Sequence, residues 1–242
     1  MKEVVMVTGA SRGIGYAVAE RFAKEGYPIV ITCSKGEEEL EIAKKRLDQY
    51  GGRVLQFLAD AGNYQQMKHV LCEVEHRLGE VGILVNNAGI SWIGLFQDME
   101  CELYEQIVRT NLLSVMHCSH LVIPGMIRRK AGKIINISSV WGNIGASCEA
   151  VYSATKSGIN GFTKALGKEL APSSIQVNAL ACGVIDTRMN SCLTEEEKEQ
   201  LVEEIPARRF GQVEEVADFV YQIVIGPAYL NGQVITLDGG WS

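Results

Sequence analysis

The sequence predicts an α/β fold: one doubly wound, Rossmann-type domain with a seven-stranded parallel sheet and helices on both faces. Short apolar runs rich in Val and Ile alternate with helix-periodic stretches along the whole chain. A glycine-rich turn follows the first of those runs. No Pro- or Ser-rich linker and no internal repeat divides the 242 residues, so 1–242 reads as a single domain.

Strands are expected at 3–8, 28–33, 53–58, 82–86, 133–138, 175–180 and 233–237. Most lack polar alternation, the pattern of strands buried on both faces. The first begins almost directly after Met1, so Val4-Val5-Met6-Val7 reads as a strand rather than a signal sequence. Ile14, Val18 and Phe22 place one apolar stripe on a helix over 13–25, which Gly26 is positioned to end. Met67, Val70, Leu71, Val74 and Leu78 do the same for 63–79. A helix between successive strands implies parallel pairing.

Composition excludes several classes. Hydrophobic residues make up 47% and charged residues 21%, an ordinary globular balance. At this length about 70–75% of the unfolded surface is buried. The net charge of −6 lacks the basic stripe of a nucleic-acid binder. No apolar run reaches 18 residues, so no membrane span is expected. Seven cysteines (33, 72, 101, 118, 148, 182 and 192) form no C-x-x-C pair. An odd, dispersed set suggests a reduced, cytoplasmic protein without a disulfide framework or zinc ribbon.

The glycine turn reads Thr8-Gly9-Ala10-Ser11-Arg12-Gly13-Ile14-Gly15. Glycines there let a phosphate approach the backbone, and the helix that follows offers unpaired N–H groups and a positive dipole end. The same residues match G-x-S-x-G, a hydrolase nucleophile elbow. That chemistry needs an acid and then a histidine further along the chain. His69, His76, His117 and His120 all fall in expected helices in the first half. The hydrolase reading therefore fails. His117 and His120 are three apart on one helix, but no third ligand is near, so packing is expected and no metal site.

Tyr152 and Lys156 are four apart at the start of an expected helix and project from one face. An ammonium beside a phenol favours the phenolate and brings proton exchange with an alcohol oxygen within range. Ser139 lies just past an expected strand, at the carboxyl end where doubly wound sheets bind ligands. Ser138 should point the other way.

With TGASRGIG at 8–15, Asn86-Asn87-Ala88-Gly89, Asn111, Ser139, Tyr152 with Lys156, Asn178, and Asp238-Gly239-Gly240 in this order, the chain resembles the short-chain dehydrogenase/reductase family over nearly its whole length. The resemblance implies that Tyr152 is the catalytic acid/base. It implies that Lys156 lowers the Tyr152 pKa and holds the nicotinamide ribose, that Ser139 orients the substrate oxygen, and that Asn111 supports a water linking Lys156 to solvent. Gly9, Ser11, Arg12, Gly13, Ile14 and Gly15 would bind the dinucleotide phosphates. Asn87, Ala88 and Gly89 would line the adenosine side, and Asp60 beside Ala61 would meet the adenine amino group. Gly183, Ile185 and Thr187 would approach the carboxamide. The family usually has Pro-Gly where this chain has Cys182-Gly183, which removes the fixed φ of proline. Cys182 reads as a small apolar replacement rather than a reactive thiol.

An acid at the end of the second strand would select NAD. Thr32-Cys33-Ser34-Lys35 has none, and Arg12 and Lys35, beside Ser34, are placed to reach a 2′-phosphate. Glu37, Glu38 and Glu39 are expected to face outward from the next helix. NADPH is the expected cofactor in preference to NAD, with reduction as the direction.

Within the family the pattern looks most like the 3-oxoacyl-acyl-carrier-protein reductases of fatty-acid biosynthesis, whose carrier docks on basic residues near the active-site rim. Arg128, Arg129 and Lys130 match one such cluster; Ser173-Ser174 stand where a second basic position is usual. A substrate lid is expected at about 184–210. Its stretch 194–204 holds six glutamates and one lysine, normally a solvated helix face. Facing the cleft, it would favour a cationic substrate, as in reduction of an aminopentanone group on elongation factor P. Trp92 and Trp141 are candidate walls of the channel. Two other readings remain: an NAD-linked sugar-alcohol or steroid dehydrogenase, and a non-catalytic NADPH-sensing relative. The resemblance also implies a homotetramer, with the C-terminal Trp241-Ser242 reaching a neighbour.

Overall fold

The structure, a computed structural model, describes residues 2–190 and 194–242. Seven parallel strands form one sheet: β1 (Val4–Thr8), β2 (Ile29–Cys33), β3 (Val54–Leu58), β4 (Val81–Asn86), β5 (Gly132–Ser139), β6 (Ile175–Cys182) and β7 (Val234–Leu237). Their order is β3-β2-β1-β4-β5-β6-β7. Chain direction across the sheet reverses between β1 and β4, so the crevice outside their carboxyl ends is the ligand position for this topology.

Helices α1 (Gly13–Lys24), α2 (Glu37–Asp48) and α3 (Tyr64–Arg77) follow the first three strands. Then come α4 (Cys101–Val108), α5 (Ser114–Arg129), the short α6 (Trp141–Ile144), α7 (Ala150–Leu170), α8 (Glu195–Glu204) and α9 (Val213–Ile225). The expected Gly26 stop is observed: it follows the α1 C-cap Glu25 with φ +75°. Asn63 caps α3 by accepting the N–H groups of Gln65 and Gln66, each at 3.1 Å.

Strand side chains alternate between two cores. Val5, Val7, Ile29 and Ile31 pack with Val18 and Phe22 of α1, Leu40 of α2 and Val220 of α9. Met6, Val30, Leu84 and Ile134 pack on the other face with Met67 and Val74 of α3, Val122 of α5 and Leu170 of α7. Full burial of a side chain such as Phe22 contributes roughly 1.5–3 kcal/mol.

The edge strands differ from expectation. Leu58 of β3 is exposed, and all of β7 is only partly covered. An edge has one hydrogen-bonded neighbour and a helix layer that ends before it, so an apolar run there is not buried on both sides. Two central strands run further than expected. β5 and β6 pair residue by residue as far as Ser139↔Cys182, because ladder bonds continue where the apolar run gives way to small polar side chains.

The segment expected to form the lid is tied at its base. Ile185 forms a parallel bridge with Gly211, so the segment leaving β6 meets the segment entering α9. Cys192 and two further residues of the expected lid, 191 and 193, lie outside the described residues. Among the described residues no helix is long and apolar enough to cross a membrane, and no group of acid, His or Cys side chains is arranged for a metal ion. His120 Nδ1 instead lies 3.2 Å from the Tyr64 hydroxyl, and the His117 ring packs edge-on against Tyr64.

Candidate active site

Ser139 ends β5, Tyr152 and Lys156 lie one helical turn apart near the start of α7, and Asn111 sits between α4 and α5. The structure brings all four to one end of the sheet. Ser139 is buried; its Oγ accepts the Trp141 N–H at 3.2 Å and hydrogen-bonds the Tyr152 phenol. Ser138 points the other way, as expected, donating to Asn160 Oδ1 at 2.7 Å. Lys156 is buried and donates from Nζ to the Ile137 carbonyl at 2.8 Å.

Asn111 occupies a π-helical turn, Arg109–Leu113, that joins α4 to α5. The extra residue in the turn directs its side chain inward. Asn111 Oδ1 accepts the Ile90 N–H at 2.8 Å, and Nδ2 donates to the Ile90 carbonyl at 2.9 Å and to Thr155 Oγ1 at 3.3 Å. It thereby clasps the loop after β4 to α7. A Cβ on Gly89 would lie 3.5 Å from Asn111 Oδ1 and 3.8 Å from Lys156 Nζ.

The electrostatics depart from one expectation. Lys156 does not bring the Tyr152 phenol down in this structure. Burial pushes that phenol up, the Glu149 carboxylate pushes it further, and only the Ser139 hydrogen bond opposes them. The reason is direction: the ammonium is spent on a backbone carbonyl and faces the ring, not the hydroxyl. Burial in turn lowers Lys156 to about 8. Cys182 is a buried thiol pushed up to about 12 by the same cause, hence a small apolar neighbour of Ser139 and not a nucleophile.

The dinucleotide groove fits its expected occupant. The N-terminus of α1 carries no side-chain cap and no acidic residue in its first turn, which leaves its N–H groups free for a phosphate. Gly9 has φ +66°, and a Cβ there would meet Ala88 Cα at 2.8 Å. On Gly13 a Cβ would touch only Thr187, at 3.8 Å, so these two face one another across the groove. Asn87 Nδ2 donates to the carbonyls of Thr8 and Gly9, both at 3.0 Å, and locks the glycine turn to the loop after β4. Asp60 accepts the Gly62 N–H at 2.9 Å beside the buried Ala61, Ser11 hydrogen-bonds the Cys33 thiol, and Ile14 leans on the core. Ser34 and Lys35 are exposed at the end of β2. Gly183 is closed off by Asp238, whose Cα would lie 2.8 Å from a Cβ. The Ile185 side chain packs in the core against Gly211.

Two further expectations change. Glu39 is solvent-accessible but does not point away from the glycine turn. Its carboxylate turns back over the glycine turn to Arg12, at 2.5 Å, and to Arg188, at 2.8 Å. Arg128, Arg129 and Lys130 precede β5, and seven residue steps at about 3.3 Å each put them roughly 23 Å from Ser139 in the same chain. Arg128 and Arg129 are both paired with Glu80 at 2.5 Å. Trp241 folds back onto Trp141 of its own chain, ring centres 4.8 Å apart.

The six glutamates of 194–204 are all exposed, on a helix that opens with a Thr194–Glu197 capping box. Sequence reasoning missed another acid, Glu149. It stands at the N-terminus of α7 and lines a small pocket of about 10 Å³, room for roughly one water, with Trp92, Phe96, Met99, Ile107 and Tyr152. Burial pushes its carboxyl up, and a Trp141 hydrogen bond partly offsets this. Only its spacing three residues before Tyr152 could have flagged it.

Known proteins agree with this geometry. The family model for short chain dehydrogenase matches residues 3–198. The chain is 36% identical over 241 residues to a 3-oxoacyl-[acyl-carrier-protein] reductase, FabG, of Staphylococcus epidermidis, covering 99% of each. It is 38% identical over 239 residues to FabG of Aquifex aeolicus, covering 98% of this chain and 96% of that one. Similarity extends to the uncharacterized oxidoreductase YmfI of Bacillus subtilis, 34% over 243 residues, covering 100% and 99%. A glycine turn at the switch point, a Ser–Tyr–Lys group at the end of β5 and α7, and a family match over most of the sequence place the chain in the short-chain dehydrogenase family.

Proposed function

We propose that the protein reduces a carbonyl to an alcohol with NADPH, and that Asn111, Ser139, Tyr152 and Lys156 carry the reaction. The observation that carries this is the buried Ser139 hydroxyl bonded to the Tyr152 phenol at the carboxyl end of the sheet. A reduced nicotinamide would supply the hydride. Tyr152, its pKa raised by burial, holds a proton at neutral pH and releases it to the carbonyl oxygen as charge develops there. Ser139 donates to the same oxygen and fixes its distance from the phenol. Lys156 holds ribose hydroxyls and keeps positive charge behind Tyr152. Asn111 anchors the loop that Lys156 packs against. The turn residues 9, 11 and 13–15, with Asn87, Ala88 and Gly89, bind the dinucleotide; Arg12, Ser34 and Lys35 favour the 2′-phosphate, and Asp60 with Ala61 meets adenine. Gly183, Ile185 and Thr187 border the nicotinamide.

In this reading 1–242 acts as one domain with 184–210 as its substrate lid, working in the cytoplasm as a homotetramer. The names of the relatives favour a 3-oxoacyl thioester on an acyl carrier. One observation favours the second substrate, an aminopentanone on elongation factor P. Glu149 lines the small pocket beside Tyr152 and supplies an acid that would attract an ammonium at its mouth, while the Arg128–Lys130 cluster is remote from Ser139 and two of its members are already paired.

NADPH oxidation measured side by side with acetoacetyl-acyl carrier protein and with aminopentanone-bearing elongation factor P separates the two. Turnover of the thioester assigns the enzyme to fatty-acid synthesis. Turnover of the modified factor alone makes Glu149 the substrate-facing acid. Failure of both, with NADPH still bound, removes both substrates.

A further inference from the structure

Glu39 links three parts of the chain that come together only in the fold. Its Oε2 accepts from Arg12 Nη1 on the glycine turn at 2.5 Å, and its Oε1 accepts from Arg188 Nη2, in the turn after Thr187, at 2.8 Å. Glu39 itself belongs to the first turn of α2, the helix that begins just beyond the end of β2. One anionic group thus holds two guanidinia together over the mouth of the dinucleotide groove. We propose that Arg12 and Arg188 jointly receive the 2′-phosphate of NADPH, and that the Glu39 carboxylate is the resident anion which this phosphate displaces.

This rests on the NADPH reading above and goes beyond it in two residues, Arg188 and Glu39. The groove supports it independently of the arginines. A Cβ on Gly13 would lie 3.8 Å from the methyl of Thr187, the neighbour of Arg188, so the turn bearing Arg188 already overhangs the phosphate-binding turn. The carboxylate is suited to being displaced. All three side chains are substantially exposed, with Arg12 at 55%, Glu39 at 36% and Arg188 at 60%. Exposed ion pairs contribute little, so breaking two of them offers weak resistance. A phosphate carries more charge than a carboxylate and three acceptor oxygens, and guanidinia bind it through paired N–H donors. The exchange therefore favours a phosphorylated ribose. A nucleotide with a bare 2′-hydroxyl cannot replace Glu39 and gains nothing from Arg188. The two arginines also hold the Glu39 carboxyl below the usual range, Arg188 the more strongly. Both pairs are therefore intact at neutral pH, when NADPH binds.

Titration calorimetry of the full chain with 2′,5′-ADP and with 5′-AMP tests this without turnover. Glu39→Gln should tighten 2′,5′-ADP about three- to tenfold, and Arg188→Gln should weaken it about five- to tenfold, with 5′-AMP unchanged in both. Both substitutions are at exposed positions, and unchanged 5′-AMP affinity reports an intact groove. Weaker binding of 2′,5′-ADP by Glu39→Gln, or an Arg188→Gln affinity equal to that of the wild type, overturns the proposal. If both variants leave the wild-type preference for 2′,5′-ADP intact, only this inference falls. If the wild type itself binds both nucleotides equally, the NADPH reading falls and takes the proposal with it.

Discussion

The Lys156 ammonium lies 5.4 Å from the centre of the Tyr152 ring, yet its hydrogen bond goes to the Ile137 carbonyl and not to the phenol. The two groups are buried side by side with opposite consequences. Burial favours the neutral form of each, so the tyrosine keeps its proton more firmly and the lysine holds its own less firmly. For a reductase this is a workable division. The phenol is protonated whenever a substrate arrives, and the Ser139 hydrogen bond stabilises the phenolate once the proton has left.

A pH dependence follows. Lys156 carries charge below about 8 and loses it above, so kcat/KM for carbonyl reduction should be level near pH 7 and fall as pH rises through about 8. Lys156→Arg should move that fall upward, because guanidinium stays charged. A profile flat to pH 10 would remove Lys156 from the reaction.

The same burial affects stability. The folded pKa of Lys156, about 8, lies below the ordinary lysine value of 10.5. The unfolded chain therefore binds more protons between these values, and this group's contribution to stability rises with pH across that window. By linkage the buried charge costs up to about 3 kcal/mol at pH 7. Lys156→Met should raise the urea midpoint at pH 7 and abolish turnover, and its stability advantage should shrink by pH 10.

Asn111→Ala should destabilise the fold by about 1–3 kcal/mol, because the Ile90 N–H and carbonyl lose their partner inside the protein. Asn111→Asp should not rescue it, since a carboxylate cannot donate to the Ile90 carbonyl. Urea denaturation of the two variants, read by fluorescence, is the check.

Gly15→Ala tests the clasp between the glycine turn and the loop after β4. The new Cβ would sit 2.4 Å from Asn87 Nδ2 and 2.5 Å from the Gly9 carbonyl, two atoms that hydrogen-bond each other. Opening that clasp should cost about 1–3 kcal/mol and weaken NADPH binding at least tenfold. Unchanged binding by fluorescence titration would show that the clasp does not shape the groove.

Much of this was legible from residue order. Alternating apolar runs and helical stripes fix a parallel sheet because a crossover helix leaves few other ways to cover two faces. Val18, Phe22, Met67 and Val74 were readable as core from spacing alone. Ser139, Tyr152 and Lys156 of the proposed catalytic group were legible because they lie on two neighbouring elements, the end of β5 and the start of α7, whereas Asn111 came only with the family resemblance. What was not legible depended on where side chains turn. Arg128 seemed close to Ser139 along the chain, but an eight-residue strand separates the two ends of the sheet. Glu39 looked outward on a helical wheel, yet Arg12 and Arg188 draw it back, and Arg188 is distant in sequence. The π-helical turn around Asn111 leaves no periodic trace, since the apolar stripe continues through it. The Ile185 side chain is buried against Gly211, a partner distant in sequence.

The most direct test is Tyr152→Phe, assayed for NADPH binding and for carbonyl reduction in parallel. The variant should bind NADPH within about twofold of the wild type, while losing at least about a hundredfold in turnover, the range of a lost general acid. Turnover at the wild-type rate would contradict the assignment of Tyr152 as the proton donor, and with it the reading of this site.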